Sequence, residues 1–145
     1  MAAEPREDGG HDTFEHTADV GIRAWGSDLT ELFEQAAAGL IEMLLNPGTV
    51  EPEQSRPVEV AGDSPEDMLV SWLEELLFAF EAEEFAPADA RVDSLADAAL
   101  RGTIRGEPLD RSRHELRSAV KAVTYHDLTI RETGAGYEVR IVLDV

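Results

Sequence analysis

Oxygen-bearing residues near the start and at the end of the chain could together hold a metal ion. Asp19 closes the polar run His16-Thr-Ala-Asp19, which lies at a break between two strand-like segments. Asp144 and the terminal carboxylate of Val145 lie one residue apart. Carboxylate and carbonyl oxygens suit hard divalent cations such as calcium or magnesium, whereas a soft metal would call for sulfur or several imidazoles. If Asp19 and Asp144 meet in the fold, their repulsion favours such an ion between them.

A lone lysine forms the third group that could support chemistry. Lys121 is the only lysine in the chain, because arginines supply the rest of its 12 Lys and Arg residues. Thr124 and His126 follow it in the strand-like segment AVKAVTYH. A compact ammonium group is suited to a point contact with an anion.

Each of these residues also has a simpler interpretation. Asp19 could satisfy the backbone amides of its own turn, as aspartate often does, and Asp144 could be a solvated terminal residue. Lys121 could discourage edge pairing of a strand. His16 and His126 could act only as hydrogen-bonding groups. Residue types and spacing alone leave both interpretations open.

Composition narrows the class of protein. A chain of 145 residues with 43% hydrophobic residues is the size of one domain with a single core. The N-terminal residues are acidic and polar, which speaks against a secretory signal, and with no cysteine and no membrane-length apolar run the chain is expected in the cytoplasm. The net charge of -19 favours a protein adapted to concentrated salt and disfavours direct binding of nucleic acid.

Hydrophobic periodicity predicts an α+β fold, in which mostly antiparallel sheets are covered by two amphipathic helices. Apolar stripes at spacings of three and four follow Asp28 and Ser64, each a good N-cap. Asp28 and Glu31 form a capping-box pattern. Strand-like alternation occurs in FEHTADVGIRAWG, RPVEVAG, ARVDSLA, ALRGTIRG, SAVKAVTYHDLTIRE and YEVRIVLDV. We expect residues 1–11 to be a flexible acidic tail and residues 12–145 to form one domain.

Five of these motifs, taken in order, resemble the archease family. They are FEHTADVGIRAWG, DLTELFEQAAAGLIEML, MLVSWLEELLFAFE, AVKAVTYHDLTI and VRIVLDV, and the resemblance runs from about Phe14 to Val145. The chain departs from the family pattern in a longer acidic N-terminal tail and in arginine where relatives often have lysine.

The resemblance implies an accessory protein without catalytic activity of its own. Archeases assist the GTP-dependent RNA ligase of the RtcB type in tRNA splicing and RNA repair, by promoting guanylylation of the ligase and multiple turnover. The family's metal site corresponds to Asp19, Asp144 and Val145, with calcium expected first and magnesium or manganese as alternatives. Lys121 corresponds to the lysine implicated in acting on the ligase, and GTP would act on the ligase.

Two other functions remain open. One is a metal-dependent enzyme in its own right, with His16 or His126 as the base. It lacks a convincing nucleophile, and no common hydrolase or metalloprotease motif is present. The other is a chaperone-like module that binds several RNA-processing proteins.

Overall fold

The computed structural model describes residues 9–16 and 19–145, without the side chains of residues 15, 16 and 19. Over these residues the chain forms eight strands and two α-helices. Their bounds are β1 Gly10–His16, β2 Asp19–Gly26, α1 Leu29–Leu44, β3 Gln54–Ala61, α2 Pro65–Glu81, β4 Phe85–Ala96, β5 Ala99–Pro108, β6 Ala122–Val123, β7 Arg131–Thr133 and β8 Gly136–Asp144.

The strands form two antiparallel sheets. The larger sheet has the order β1-β2-β8-β6, with β7 also paired to β8, and the smaller has the order β3-β5-β4. Both helices contact both sheets. The hydrophobic core therefore surrounds the helices, and the predicted α+β fold is confirmed.

The local signals that predict α1 appear in its structure. Asp28 is the N-cap, and its side chain accepts a hydrogen bond from the Glu31 N–H at 2.8 Å. The Glu31 carboxylate accepts from the Ser27 N–H at 2.7 Å, one residue before the N-cap position that a standard capping box would use. The predicted stripe is almost entirely buried, at Leu32, Phe33, Ala36, Ala37, Leu40, Ile41 and Leu44.

Helix α2 starts at Pro65, after the N-cap Ser64, whose hydroxyl accepts from the Asp67 N–H at 3.1 Å. Trp72 is only 1% exposed, and its indole N–H donates to the Phe33 carbonyl at 3.0 Å. A buried indole needs such a partner for its polar group. Trp72 therefore links the two helices, in addition to filling the core.

Strand β8 alternates as predicted, except that Val142 on the outer side is also buried. Val139, Ile141 and Leu143 are buried on the side facing the helices. Arg140 and Asp144, on the opposite side, are exposed. Within the described residues, no helix combines the length and the apolar character needed to cross a membrane.

The predicted long strand SAVKAVTYHDLTIRE is wrong over most of its length. Of this segment, only β6 and β7 pair with β8, and residues 124–130 between them form a loop. The loop is held by the first turn of α2, because the Tyr125 hydroxyl donates to Asp67 at 2.8 Å and the Ile130 N–H donates to Glu66 at 3.0 Å. Hydrogen bonds to the helix therefore replace the pairing that alternation suggested.

The first strand begins close to the predicted start of the domain. Strand β1 begins at Gly10, ahead of the expected boundary at residue 12. The His11 ring hydrogen-bonds to Gln35 at 2.9 Å and to Glu42 at 2.8 Å, both on α1. Residues 1–8, which make up most of the predicted tail, lie outside the described residues.

Candidate functional site

The ends of the His16–Asp19 run and the end of β8 meet at one end of the larger sheet. Strand β2 begins at Asp19 and β8 ends at Asp144, and these antiparallel neighbours pair Val20 with Leu143. The backbone of His16, at the end of β1, pairs with that of Asp19, at the start of β2. The backbones of His16, Asp19 and Asp144 therefore lie side by side on three adjacent strands.

The lysine segment reaches the same end of the sheet. Strand β6 pairs Ala122 with Asp144 and Val123 with Leu143. The Lys121 N–H donates to the backbone carbonyl of Asp144 at 2.7 Å. Lys121 and Asp144 are both exposed, and Val145 is 42% exposed. We call this region, formed by the backbones of Asp19, Lys121, Asp144 and Val145, the strand-end tip.

The donor set of the strand-end tip fits a hard divalent cation. Two carboxylates and a backbone oxygen are the groups that calcium and magnesium prefer. The side chains of His16 and Asp19 lie outside the described residues, and among the remainder no group of three or more histidine or acidic residues could hold a metal. Metal binding at Asp19, Asp144 and Val145 therefore stays a prediction.

Thr124 and His126 both make local contacts in this structure. The Thr124 hydroxyl donates to the Val142 carbonyl at 3.0 Å and accepts from the His126 N–H at 3.2 Å. The His126 side chain is 60% exposed and lies 3.3 Å from the Asp127 carboxylate. Thr124 therefore fixes the turn after β6, and His126 remains available on the surface beside it.

The segment that leads into Lys121 is anchored to the end of α1. The last carbonyls of a helix have no partner within it. Here the Arg117 N–H donates to the Leu44 carbonyl at 2.9 Å, the Arg117 guanidinium to the Glu42 carbonyl at 3.0 Å, and the Ser118 N–H to the Met43 carbonyl at 2.9 Å. The end of α1 thereby fixes the position of the backbone shortly before Lys121.

A buried ionic cluster anchors the same segment at its other end. Arg113 donates two hydrogen bonds to Glu107, at 2.7 and 2.9 Å, and the Glu51 N–H donates a third at 2.8 Å. The His114 Nδ1 accepts from the Asp110 N–H at 2.9 Å, so its Nε2–H donates to Glu107 at 2.8 Å. These donors, Arg113 foremost, hold the pKa of the Glu107 carboxyl far below its usual range.

Sequence reasoning missed this cluster. The sequence around residues 107–114 predicts only a charged loop, and this loop contains Glu107, Arg113 and His114. No spacing rule predicts that a histidine is buried there. The pairing depends on the turn of the chain after β5, which brings residues 107 and 114 together. Asp110 is a local signal for that turn, since its side chain accepts from the Ser112 N–H at 3.0 Å, but it does not indicate that His114 is buried against Glu107.

Comparison with known proteins identifies the fold and the family. The model of the Archease protein family matches residues 11–145. The chain belongs to the archease family. It is 39% identical to protein archease of Sulfurisphaera tokodaii, over 91% of this chain and 96% of that protein. It is 40% identical to protein archease of Thermococcus gammatolerans, over 85% of this chain and 89% of that protein.

Two solved structures share the fold. The solution structure of Methanobacterium thermoautotrophicum protein 1598 is 33% identical, covers 94% of this chain and 99% of its own, and has a TM-score of 0.78. The crystal structure of an archease from Thermotoga maritima, described as a possible chaperone, is 22% identical, covers 91% of this chain and 94% of its own, and has a TM-score of 0.66. At that identity the Thermotoga likeness concerns the fold alone.

Proposed function

We propose that this archease activates an RtcB-type RNA ligase in tRNA splicing and RNA repair, by promoting guanylylation of the ligase with GTP and its repeated turnover. Family membership supports an accessory role. The observation that carries the proposal is the 2.7 Å hydrogen bond from the Lys121 N–H to the Asp144 carbonyl, which ties the lone lysine to the strand-end tip.

In the proposed tip, Asp19, Asp144 and a backbone or terminal oxygen of Val145 would hold a divalent cation, calcium first and magnesium or manganese as alternatives. The cation would offset the repulsion between the two carboxylates. The pairing of β2 with β8 places the backbones of Asp19 and Asp144 close together, and the chain entering β6 holds the Lys121 backbone beside Asp144.

Lys121 would make the activating contact. Its backbone is held by Asp144 while its side chain is exposed, so the ammonium group is available to a partner. In the complex it would orient a phosphate of GTP or an acidic group of the ligase. A flexible stem with a compact charge suits a contact that forms only when the partner docks.

Charge supports a protein partner over nucleic acid. The chain has 31 acidic and 12 Lys and Arg residues. Such a surface repels phosphate backbones but attracts a ligase whose RNA-binding surface is basic, which raises the encounter rate. The same composition suits a cytoplasmic protein of a salt-rich cell.

A chaperone-like module is the second candidate. The Thermotoga structure is described as a possible chaperone. In this chain Phe78 on α2 is 56% exposed and Tyr125 in the loop after β6 is 57% exposed, and large exposed aromatic side chains are common in binding surfaces. A pull-down in high salt would support this role if several RNA-processing proteins other than a ligase were retained.

The deciding experiment measures guanylylation of a purified RtcB-type ligase by GTP, with and without this protein, in salt that keeps it folded. We expect stimulation at substoichiometric amounts, which would mark a catalytic activator and not a scaffold. Ligase that is guanylylated at the same rate in both reactions would contradict the proposal. Turnover of GTP or RNA by the protein without ligase would instead support a stand-alone enzyme.

A further inference from the structure

A cavity of about 330 Å³ opens on the face of the larger sheet that points away from the helices. Three arginines line it, together with two carboxylates: Arg23, Arg131, Arg140, Asp127 and Glu138. Small-ligand sites typically start at roughly this volume. A quarter of the chain's 12 Lys and Arg residues thus surround one cavity of a strongly acidic protein.

Two of the arginines oppose each other. Arg23 on β2 pairs directly with Arg140 on β8. Residues in such positions have Cβ atoms about 5 Å apart, and like charges there destabilise a sheet. A bound anion would reduce the repulsion between the two guanidinium groups.

Neighbouring carboxylates pair with two of the three arginines. Arg131 forms an ion pair with Glu138, and Asp127 lies 3.3 Å from His126. Arg23 forms an ion pair with Asp12, in which Nε and Oδ1 lie 3.8 Å apart, too far for a hydrogen bond. Among the side chains that the structure describes, Arg140 forms an ion pair with none.

Arg140 is nevertheless held in place. Its guanidinium carbon lies 4.4 Å from the centre of the Phe14 ring, within the range of a cation–π contact. Phe14 lies close over Gly21, where an added Cβ would come within 2.1 Å of the ring. Gly21 thus lets Phe14 cross β2 and support Arg140. A fixed guanidinium loses less conformational freedom when it binds an anion.

A smaller cavity extends this surface towards the strand-end tip. It measures about 70 Å³, shares Arg140 and Asp127 with the first, and is also lined by Phe14, His126 and Val142. Arg140, Val142 and Asp144 lie on the same face of β8, and each is about 7 Å from the next along the strand. The arginine pair therefore lies about 14 Å from Asp144 along the strand.

We propose that this cavity binds the phosphate group of a nucleoside phosphate, with Arg140 and Arg23 as its principal ligands. Guanidinium groups match the geometry of phosphate oxygens and can donate paired hydrogen bonds. Thr129, also on the cavity wall, offers a hydroxyl donor. The site belongs to this chain alone and does not depend on the proposed action on a ligase.

Calorimetry on the purified protein tests the site with three probes: inorganic phosphate, GMP and guanosine. We expect GMP and phosphate to bind and guanosine not to bind. Arg140→Gln should weaken GMP binding by about tenfold or more, since it removes a charged hydrogen-bond donor to the phosphate. Arg101→Gln removes the same charge from an exposed position on the other sheet and should leave GMP affinity unchanged.

Three results would overturn the proposal: binding of neither phosphate probe, equal binding of guanosine and GMP, or equal loss of affinity in the two arginine variants. If Arg140→Gln does not fold, the parent protein still decides. The side-chain Nε resonances of Arg23 and Arg140 should shift on addition of GMP while that of Arg101 stays fixed, and the reverse pattern would refute the assignment. None of these measurements involves a ligase, so their outcome is independent of the activation assay.

Discussion

The segment from Glu107 to Val123 is held in two different ways at its two ends. At its start, Glu107 is buried and accepts hydrogen bonds from Arg113, His114 and the Glu51 N–H. At its end, Lys121 is exposed and joined to Asp144 through a backbone hydrogen bond. The difference teaches that the buried end stabilises the segment, whereas the exposed end leaves its side chain free to meet a partner.

The largest change in the free energy of unfolding should come from calcium binding at the strand-end tip. At a calcium concentration 100 times its dissociation constant, bound calcium should add about 2.7 kcal/mol to the free energy of unfolding. Asp144→Asn should reduce this gain, because it removes one proposed charged ligand. Denaturant unfolding in calcium and in a chelator measures this gain for the parent and for the variant. Asp127→Asn, a change at another exposed aspartate, is the control, and an equal calcium effect in parent and Asp144→Asn would remove the metal site.

The buried end should respond next to His114→Ala. The change leaves the Asp110 N–H without its acceptor and removes one donor to Glu107. An unsatisfied buried polar group costs roughly 1–3 kcal/mol of unfolding free energy. The exposed His126→Ala should change it by less than about 0.5 kcal/mol. If both histidine variants unfold at the same denaturant concentration, the buried cluster does not stabilise the segment.

Acid should weaken the same cluster. The pKa of Glu107 is lowered in the folded protein, chiefly by Arg113, relative to an ordinary value of about 4.3. Its contribution to stability is therefore fully present above that value and is lost progressively as the pH falls below it. Thermal unfolding between neutral pH and pH 3, at constant salt, should show a steeper loss in the parent than in Glu107→Gln. Superimposable profiles would contradict this role.

The smallest effect should come from the loop after β6. Tyr125→Phe removes the hydroxyl that donates to Asp67 at 2.8 Å, but the side chain is 57% exposed. We expect a change of less than about 0.5 kcal/mol in the free energy of unfolding. The tyrosine pKa, raised chiefly by the hydrogen bond to Asp67, should fall towards its ordinary value in Asp67→Asn, as followed by ultraviolet titration. A large loss of stability in Tyr125→Phe would contradict this expectation. It would show that the loop after β6, and not only the buried Glu107 cluster, stabilises the segment.

Local signals were sufficient for the helices but not for the segment that carries Lys121. Asp28 and Ser64 cap the helices as predicted, because a cap depends on residues three positions apart. The long strand predicted around Lys121 is wrong, because Tyr125 and Ile130 hydrogen-bond to α2, more than fifty residues away in sequence. Alternation describes a side chain's preference and carries no information about such distant partners.

The candidate site was predictable only in part. The residues at the strand-end tip could be named from the motifs shared with archeases, but spacing alone did not separate them from ordinary surface residues. Their proximity comes from the pairing of β2 with β8, which joins Val20 to Leu143 across most of the chain. The opposed Arg23 and Arg140 follow from the same register, so neither arginine stands out in the sequence.

The most direct test of the central claim is guanylylation of an RtcB-type ligase in the presence of Lys121→Gln. This variant should retain the unfolding temperature of the parent, since the Lys121 side chain is exposed and its structural hydrogen bond comes from the backbone. It should lower the stimulated rate by about tenfold or more, the effect of losing one charge-assisted contact, whereas Arg101→Gln should stimulate like the parent. Full stimulation by folded Lys121→Gln would contradict the assignment of the activating contact to this lysine.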